Sequence, residues 1–224
     1  MTRLSQVTER MRIASEAANR PLSDVRLLAV SKRQPLDKIR ALAEEGQHAF
    51  GENYVDEALE KINQLQDLSL EWHFIGPIQS NKTRALAEHF DWVQSVDRLK
   101  VIRRLNDQRP AGLSPLNVLI QVNIDNEDQK AGCAVHELSQ LAAAVEQHDR
   151  LKLRGIMAIP APREEPQAQE QVFTALRSLF NGLVEQYSSV DTLSAGMSAD
   201  LETAIAAGST MVRIGTDLFG PRPD

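Results

Sequence analysis

Cysteine is almost missing from this chain. Cys133 stands alone among 224 residues, which excludes an intrachain disulfide and a cysteine metal cluster. Aromatic residues are scarce at 4%, and Tyr54 and Tyr187 are the two tyrosines. No apolar run approaches the roughly 20 residues needed to span a bilayer. The N-terminus is polar from Thr2 onward and lacks the apolar core of a signal peptide. Positive charge is not in surplus: the net charge of −6 gives no reason to expect nucleic acid or an acidic membrane as partner. The dinucleotide fingerprint G-x-G-x-x-G and the P-loop are both absent. So is any Pro/Gly/Ser-rich linker that would divide the chain. The remainder is ordinary, 42% hydrophobic and 25% charged, and reads as one soluble, cytoplasmic domain over residues 1–224.

What is present is an alternation. Residues 2–19 carry Leu4, Val7, Met11, Ala14 and Ala18 at helical spacing. The apolar run Val25 to Val30 then reads as a buried strand. Strand signals recur at His48–Gly51, Leu70–Ile75, Trp92–Val93, Leu116–Val122, Leu151–Met157, Thr192–Ser194 and Met211–Ile214, with amphipathic helices between them. Strict alternation favours a parallel sheet, and eight repeats favour closure into an α/β barrel of the (β/α)8 TIM type with an extra N-terminal helix. An open doubly wound sheet is the alternative.

In such a barrel chemistry sits on the loops after the strands. The first strand ends in Ser31-Lys32, so a lysine lies at its carboxyl end. Gly196-Met197-Ser198 follows the seventh strand, with Ser198 expected to cap the next helix, and Arg213-Ile214-Gly215-Thr216 ends the eighth. Glycine permits close backbone approach, and free N–H groups with a hydroxyl favour a phosphate. Strand eight pairs with strand one in a closed barrel, so Lys32 and the phosphate loops become neighbours. A lysine beside a phosphate cradle points to pyridoxal 5′-phosphate, whose aldehyde takes an amine. Arg213 nearby is expected to push the lysine pKa down and favour the neutral amine.

Val30-Ser31-Lys32, Phe50 to Tyr54, Trp72 to Lys82, Gly155 to Met157, Leu193 to Ser198 and Val212 to Thr216 together resemble the pyridoxal phosphate homeostasis proteins. The resemblance covers nearly the whole chain. It implies a single-domain barrel like the N-terminal domain of alanine racemase, with the cofactor held as a Schiff base on Lys32. It implies a role in vitamin B6 and amino-acid homeostasis without an assigned enzymatic activity. By the same resemblance Ser198, Gly215 and Thr216 hold the phosphate, Arg213 lies near the ring or phosphate, and Asn53 lines the pocket. Arg33-Gln34 and Ala195 vary from commoner family choices without touching these groups.

Two classes of function remain open: a carrier of the cofactor and a racemase-like enzyme. Racemisation needs proton donors on both faces of the substrate carbon. Lys32 serves one, and Tyr54 is the tyrosine placed near the second strand; Tyr187 falls at the end of a long outer helix. A sugar-phosphate aldolase using Lys32 is a third idea. The carrier is favoured, with apo pyridoxal phosphate enzymes as recipients and a monomer as the expected state. His73 reads as a packed strand residue, and Lys82 and Lys130 as solvated loop lysines. Asp125, Asn126, Glu127 and Asp128 lack the glycine and distal glutamate of an EF-hand and read as a solvated loop, not a metal site.

Overall fold

Each short apolar run becomes a strand, and each amphipathic stretch a helix on its outside. The computed structural model describes residues 1–127 and 129–220, so Asp128 of the acidic loop and the last four residues lie outside it. Helix α1 (Arg3–Ala17) precedes β1 (Arg26–Val30) and α2 (Leu36–Glu44). Then come β2 (Ala49–Glu52), α3 (Val55–Gln64), β3 (Glu71–Phe74), α4 (Thr83–His89), β4 (Trp92–Val96) and α5 (Leu99–Gln108). The second half holds β5 (Leu116–Gln121), α6 (Leu138–Glu146), β6 (Leu151–Met157), α7 (Pro166–Val184), β7 (Thr192–Ser194), α8 (Leu201–Ala206), β8 (Met211–Ile214) and α9 (Thr216–Phe219).

The strands are parallel and form a closed barrel in the order β1 to β8. Strand β8 returns to β1 with Leu27 opposite Val212 and Ala29 opposite Ile214. The closed barrel therefore stands, and the open sheet does not. The main apolar core lies between strands and helices, where Phe50, Phe74, Phe90, Phe173 and Ile39 are fully buried. Burying one such side chain contributes about 1.5–3 kcal/mol. Two smaller clusters fill the barrel itself: Leu28, Ala49, Ile75 and Met211 in one, Trp92, Leu119 and Met157 in the other.

Three elements differ from the sequence reading, each for a physical reason. Strand β4 runs on to Val96 because Gln94 and Ser95, polar but buried, continue it inside the barrel. Helix α7 starts at Pro166, ahead of its first apolar position, since proline at the first turn gives up no helical hydrogen bond. The short α9 has too few residues for a periodic signal. Among the described residues no helix is long and apolar enough to cross a membrane.

Candidate functional site

Strand pleating decides what reaches the barrel mouth. Leu28 and Val30 belong to the interior cluster, while Leu27 and Ala29 pack outward against the helices. Continuing that alternation by two residues carries Lys32 to the inner rim. The same period carries Ala49 through Gly51 to Asn53, and Met211 through Arg213 to Gly215. These side chains converge on a cavity of about 270 Å³ at the carboxyl end of the strands. Lys32, Asn53, Ser198, Arg213, Gly215 and Thr216 all line it. Val30, Gln34, Ile75, Ile159 and Met197 add an apolar and amide wall.

The peptide carrying Lys32 is clamped on both sides. Before it, Ser31 Oγ donates to Glu52 Oε1 at 2.6 Å and Lys61 Nζ donates to the Ser31 carbonyl at 2.7 Å. After it, Arg33 N–H donates to Glu57 Oε1 at 2.5 Å, with Arg33 at φ +58°. Lys61 joins the two halves by pairing with Glu52 at 2.8 Å and Glu57 at 2.6 Å. Glu52 is fully buried, and burial pushes its carboxyl up against the opposing pull of Lys61. This clamp left no motif in the sequence; its one signal was a charged residue, Glu52, ending an apolar strand.

The two phosphate-type loops are built differently from expectation. Gly196 has φ +102°, and a Cβ there would meet Ala204 Cβ at 2.5 Å, so only glycine lets the chain turn over α8. Ser198 is not the cap of that helix: Asp200 occupies the cap position, and α8 begins at Leu201. The reason is the tight turn closed by Met197 N–H donating to Asp200 Oδ1 at 2.6 Å, which delays the helix. Ser198 instead sits in the turn facing the cavity. Its carbonyl accepts from Arg10 NH2 at 3.0 Å, and Arg10 also pairs with Glu202 and Asp217. The N-terminal helix thus ties the loops after β7 and β8 together. At the opposite wall, a Cβ on Gly76 would fall on the Asn53 carbonyl, so glycine sets how closely these two loops approach.

Two cavity groups are under-satisfied. Asn53 Oδ1 is buried with no hydrogen-bond partner. The Arg213 guanidinium is buried and donates to Ser194 O at 2.7 Å, Ser194 Oγ at 2.8 Å and Ala158 O at 2.8 Å. Among the described residues it has no carboxylate within ion-pair distance, and burial pushes its pKa down to about 10, where it stays charged at neutral pH. A buried cation bonded to neutral oxygens and a buried amide oxygen without a hydrogen-bond partner thus belong to two residues that line the hollow.

The alanine racemase N-terminal domain family matches residues 2–223. The pyridoxal phosphate homeostasis protein of Escherichia coli K12 is 54% identical over 222 residues, covering 98% of this chain and 95% of that one. Its namesake from Pseudomonas aeruginosa is 55% identical over 219 residues, covering 98% and 94%. The chain belongs to the pyridoxal phosphate homeostasis protein family. Among solved structures, PipY of Synechococcus elongatus with pyridoxal phosphate bound is similar at a TM-score of 0.78 and 35% identity, covering 96% of this chain and all of that one.

In this member of the homeostasis family the remaining candidates fall outside the cavity. Tyr54 is 47% exposed, stacks under Arg33 and does not line the pocket. Tyr187 packs at the edge of the outer core beyond α7. Lys82 pairs with Asp56. Lys130 pairs with Asp125 and Glu127 and borders an adjoining hollow that shares Asn53, Ile75 and Ile159. Asp125 is engaged by Arg163, Lys130 and the Ala161 N–H, and among the described residues no group of three potential metal ligands exists.

His73 is a packed strand residue, yet it belongs to something larger. Its Nε2 meets Glu71 Oε1 at 2.7 Å, and its Nδ1 meets Gln94 Nε2 at 2.8 Å. Gln94 Oε1 accepts from Ser194 Oγ at 2.7 Å, and Ser194 Oγ accepts from Arg213. The Gln94 amide nitrogen can only donate, so His73 Nδ1 accepts and His73 Nε2 carries the proton. Burial lowers the His73 pKa and keeps the ring neutral, in agreement with that tautomer. A directed chain of hydrogen bonds thus crosses the barrel from Glu71 to Arg213.

Proposed function

We propose that this protein is a carrier in the cytoplasm that holds pyridoxal 5′-phosphate on Lys32 as a Schiff base and hands it to apo enzymes that require it. The observation that carries this is the convergence of Lys32, Asn53, Ser198, Arg213, Gly215 and Thr216 on one cavity. The residues fit the cofactor chemically. Arg213 brings a buried positive charge whose hydrogen-bond partners are neutral oxygens, and Asn53 brings an amide to the same lining. Ser198, Gly215 and Thr216 supply hydroxyl and backbone donors for a phosphate. When bound, the cofactor supplies an aldehyde. Lys32 would supply the amine that takes this aldehyde reversibly.

A carrier needs the bond to form and reverse, and no more. Racemisation would need a second acid–base group opposite Lys32. Tyr54 is turned to solvent against Arg33, away from the cavity lining. The clamp around Lys32 serves holding: it fixes the peptide that carries the side chain.

The reading is tested by loading the protein, isolating it and mixing it with an apo enzyme of this cofactor class. Recovery of that enzyme's activity matching the loss of bound cofactor is expected. Conversion of an amino acid into its enantiomer, abolished by Tyr54→Phe, would replace the carrier by an enzyme. We propose the monomer as the working state, to be checked by light scattering of the loaded protein.

A further inference from the structure

We infer that the hollow at the amino end of the barrel is a second ligand site, one that takes a phosphate group between Arg20 and Arg177. This hollow has a volume of about 480 Å³ and lies at the opposite end of the strands from Lys32. Four arginines line it, Arg20, Arg26, Arg154 and Arg177, against Asp24 and Asp191. Two of the four are spoken for. Arg154 forks onto Asp191, and Arg26 pairs with Glu71 at 2.5 Å. Arg20 and Arg177 remain, and among the described residues neither has a carboxylate within ion-pair distance. Against Asp24 they leave one positive charge in surplus, in a chain whose net charge is −6.

The two guanidiniums are anchored, not floppy. Arg20 NH1 donates to Ile205 O at 2.8 Å and Ser209 O at 2.9 Å. Arg177 NH1 donates to Gly208 O at 2.9 Å, and its guanidinium lies 5.2 Å from the Phe180 ring centre. Both are pinned through one nitrogen to the same turn between α8 and β8. Each keeps its Nε and NH2 donors beyond these bonds. Like charges held side by side in a hollow repel each other, and burial, with Arg177 second, lowers the Arg20 pKa. A phosphate relieves that repulsion and accepts from both planar forks. Ser23 and Asn181 add a hydroxyl and an amide to the same wall. The site is already arranged before ligand arrives, so little ordering opposes binding.

The test is calorimetric titration with inorganic phosphate at constant ionic strength. Cofactor-loaded, borohydride-reduced protein is used, so the carboxyl-end cavity is filled. The expected result is one phosphate per chain, weakened at least tenfold in both Arg20→Gln and Arg177→Gln. Asp24→Asn removes the carboxylate left over once Asp191 is paired with Arg154 and leaves both anchors in place; it should tighten phosphate severalfold. Glycerol phosphate run beside the free ion tells an ester site from an ion site by which binds tighter. Phosphate binding that is absent, or unchanged in Arg20→Gln/Arg177→Gln and in Asp24→Asn, overturns the proposal. If the protein fails to load cofactor, the same titration on unloaded protein still reads the arginine dependence, so the two proposals fail separately.

Discussion

The two ends of this barrel handle charge in opposite ways. At the amino end most charges are paired near solvent: Arg26 with Glu71 and Arg154 with Asp191, both guanidiniums lying over the Trp92 ring that plugs the barrel. At the carboxyl end the charges are buried and committed. Lys61 and Glu52 lie 7% and 0% exposed at their side chains, and Arg213 has only neutral oxygens as partners. Exposed pairs contribute about 0–1 kcal/mol, whereas breaking a buried one costs about 3–5 kcal/mol. The barrel places costly, rigid electrostatics around Lys32 and inexpensive electrostatics at its far end. That division matches the general separation of function and stability between the two faces of such barrels.

The sharpest way to break this comparison is at the clamp. Lys61→Met strands the buried Glu52 carboxylate and should cost about 3–5 kcal/mol in urea unfolding, with Lys61→Met/Glu52→Gln recovering much of it. A loss under 1 kcal/mol would mean the pair is not buried as described. Next is the chain between the ends. Ser194→Ala leaves Gln94 Oε1 without its donor and Arg213 without one acceptor, at a cost of about 1–3 kcal/mol. The same variant should loosen bound cofactor, read from its rate of release.

The third test uses pH. His73 is buried against Glu71, Gln94, Trp92, Asp91 and Arg26, and its pKa is lowered in the folded protein. Below the unfolded value of about 6.5 the unfolded chain takes up a proton that the folded chain refuses. Stability should therefore fall as pH drops below that value, by at most about 1.4 kcal/mol per pH unit. Glu71, held low by His73 and Arg26 against the effect of burial, adds a loss of the same sign at more acidic pH. Comparing unfolding from pH 7 to 5 with that of His73→Gln isolates the first part; an unchanged slope would contradict it. The smallest effect belongs to the amino end, where Arg26→Gln should cost no more than about 1 kcal/mol in the same assay.

Much of this was legible in the sequence. The apolar runs from Val25–Val30 to Met211–Ile214 announced eight strands, and their number announced closure. The lysine ending the first run and the glycines ending the last two announced the cavity, because strand termini at one end of a barrel must converge. Less legible were residues whose roles depend on distant partners. Gln94 falls just past the apolar pair Trp92–Val93 and Ser194 closes the seventh strand signal, although both are interior links to Arg213. Lys61 and Arg10 lie on the amphipathic helices α3 and α1 with no motif around them, yet one grips the Ser31 peptide and the other the Ser198 turn. Ser198 was misread as a helix cap because a hydroxyl after glycine often is one, and the Met197–Asp200 turn has no periodic trace. Period-two counting inward from Leu28 and Met211 would have found Arg213 and Lys32 without any motif.

The central claim is that Lys32 carries the cofactor. The direct measurement is borohydride reduction of protein loaded with pyridoxal phosphate, followed by peptide mass mapping. The account predicts one reduced pyridoxyl adduct per chain, on Lys32, with the absorbance band of the unreduced complex lost in Lys32→Ala. A full band in Lys32→Ala, with the adduct mapped to Lys82, Lys130 or another amine, would contradict it.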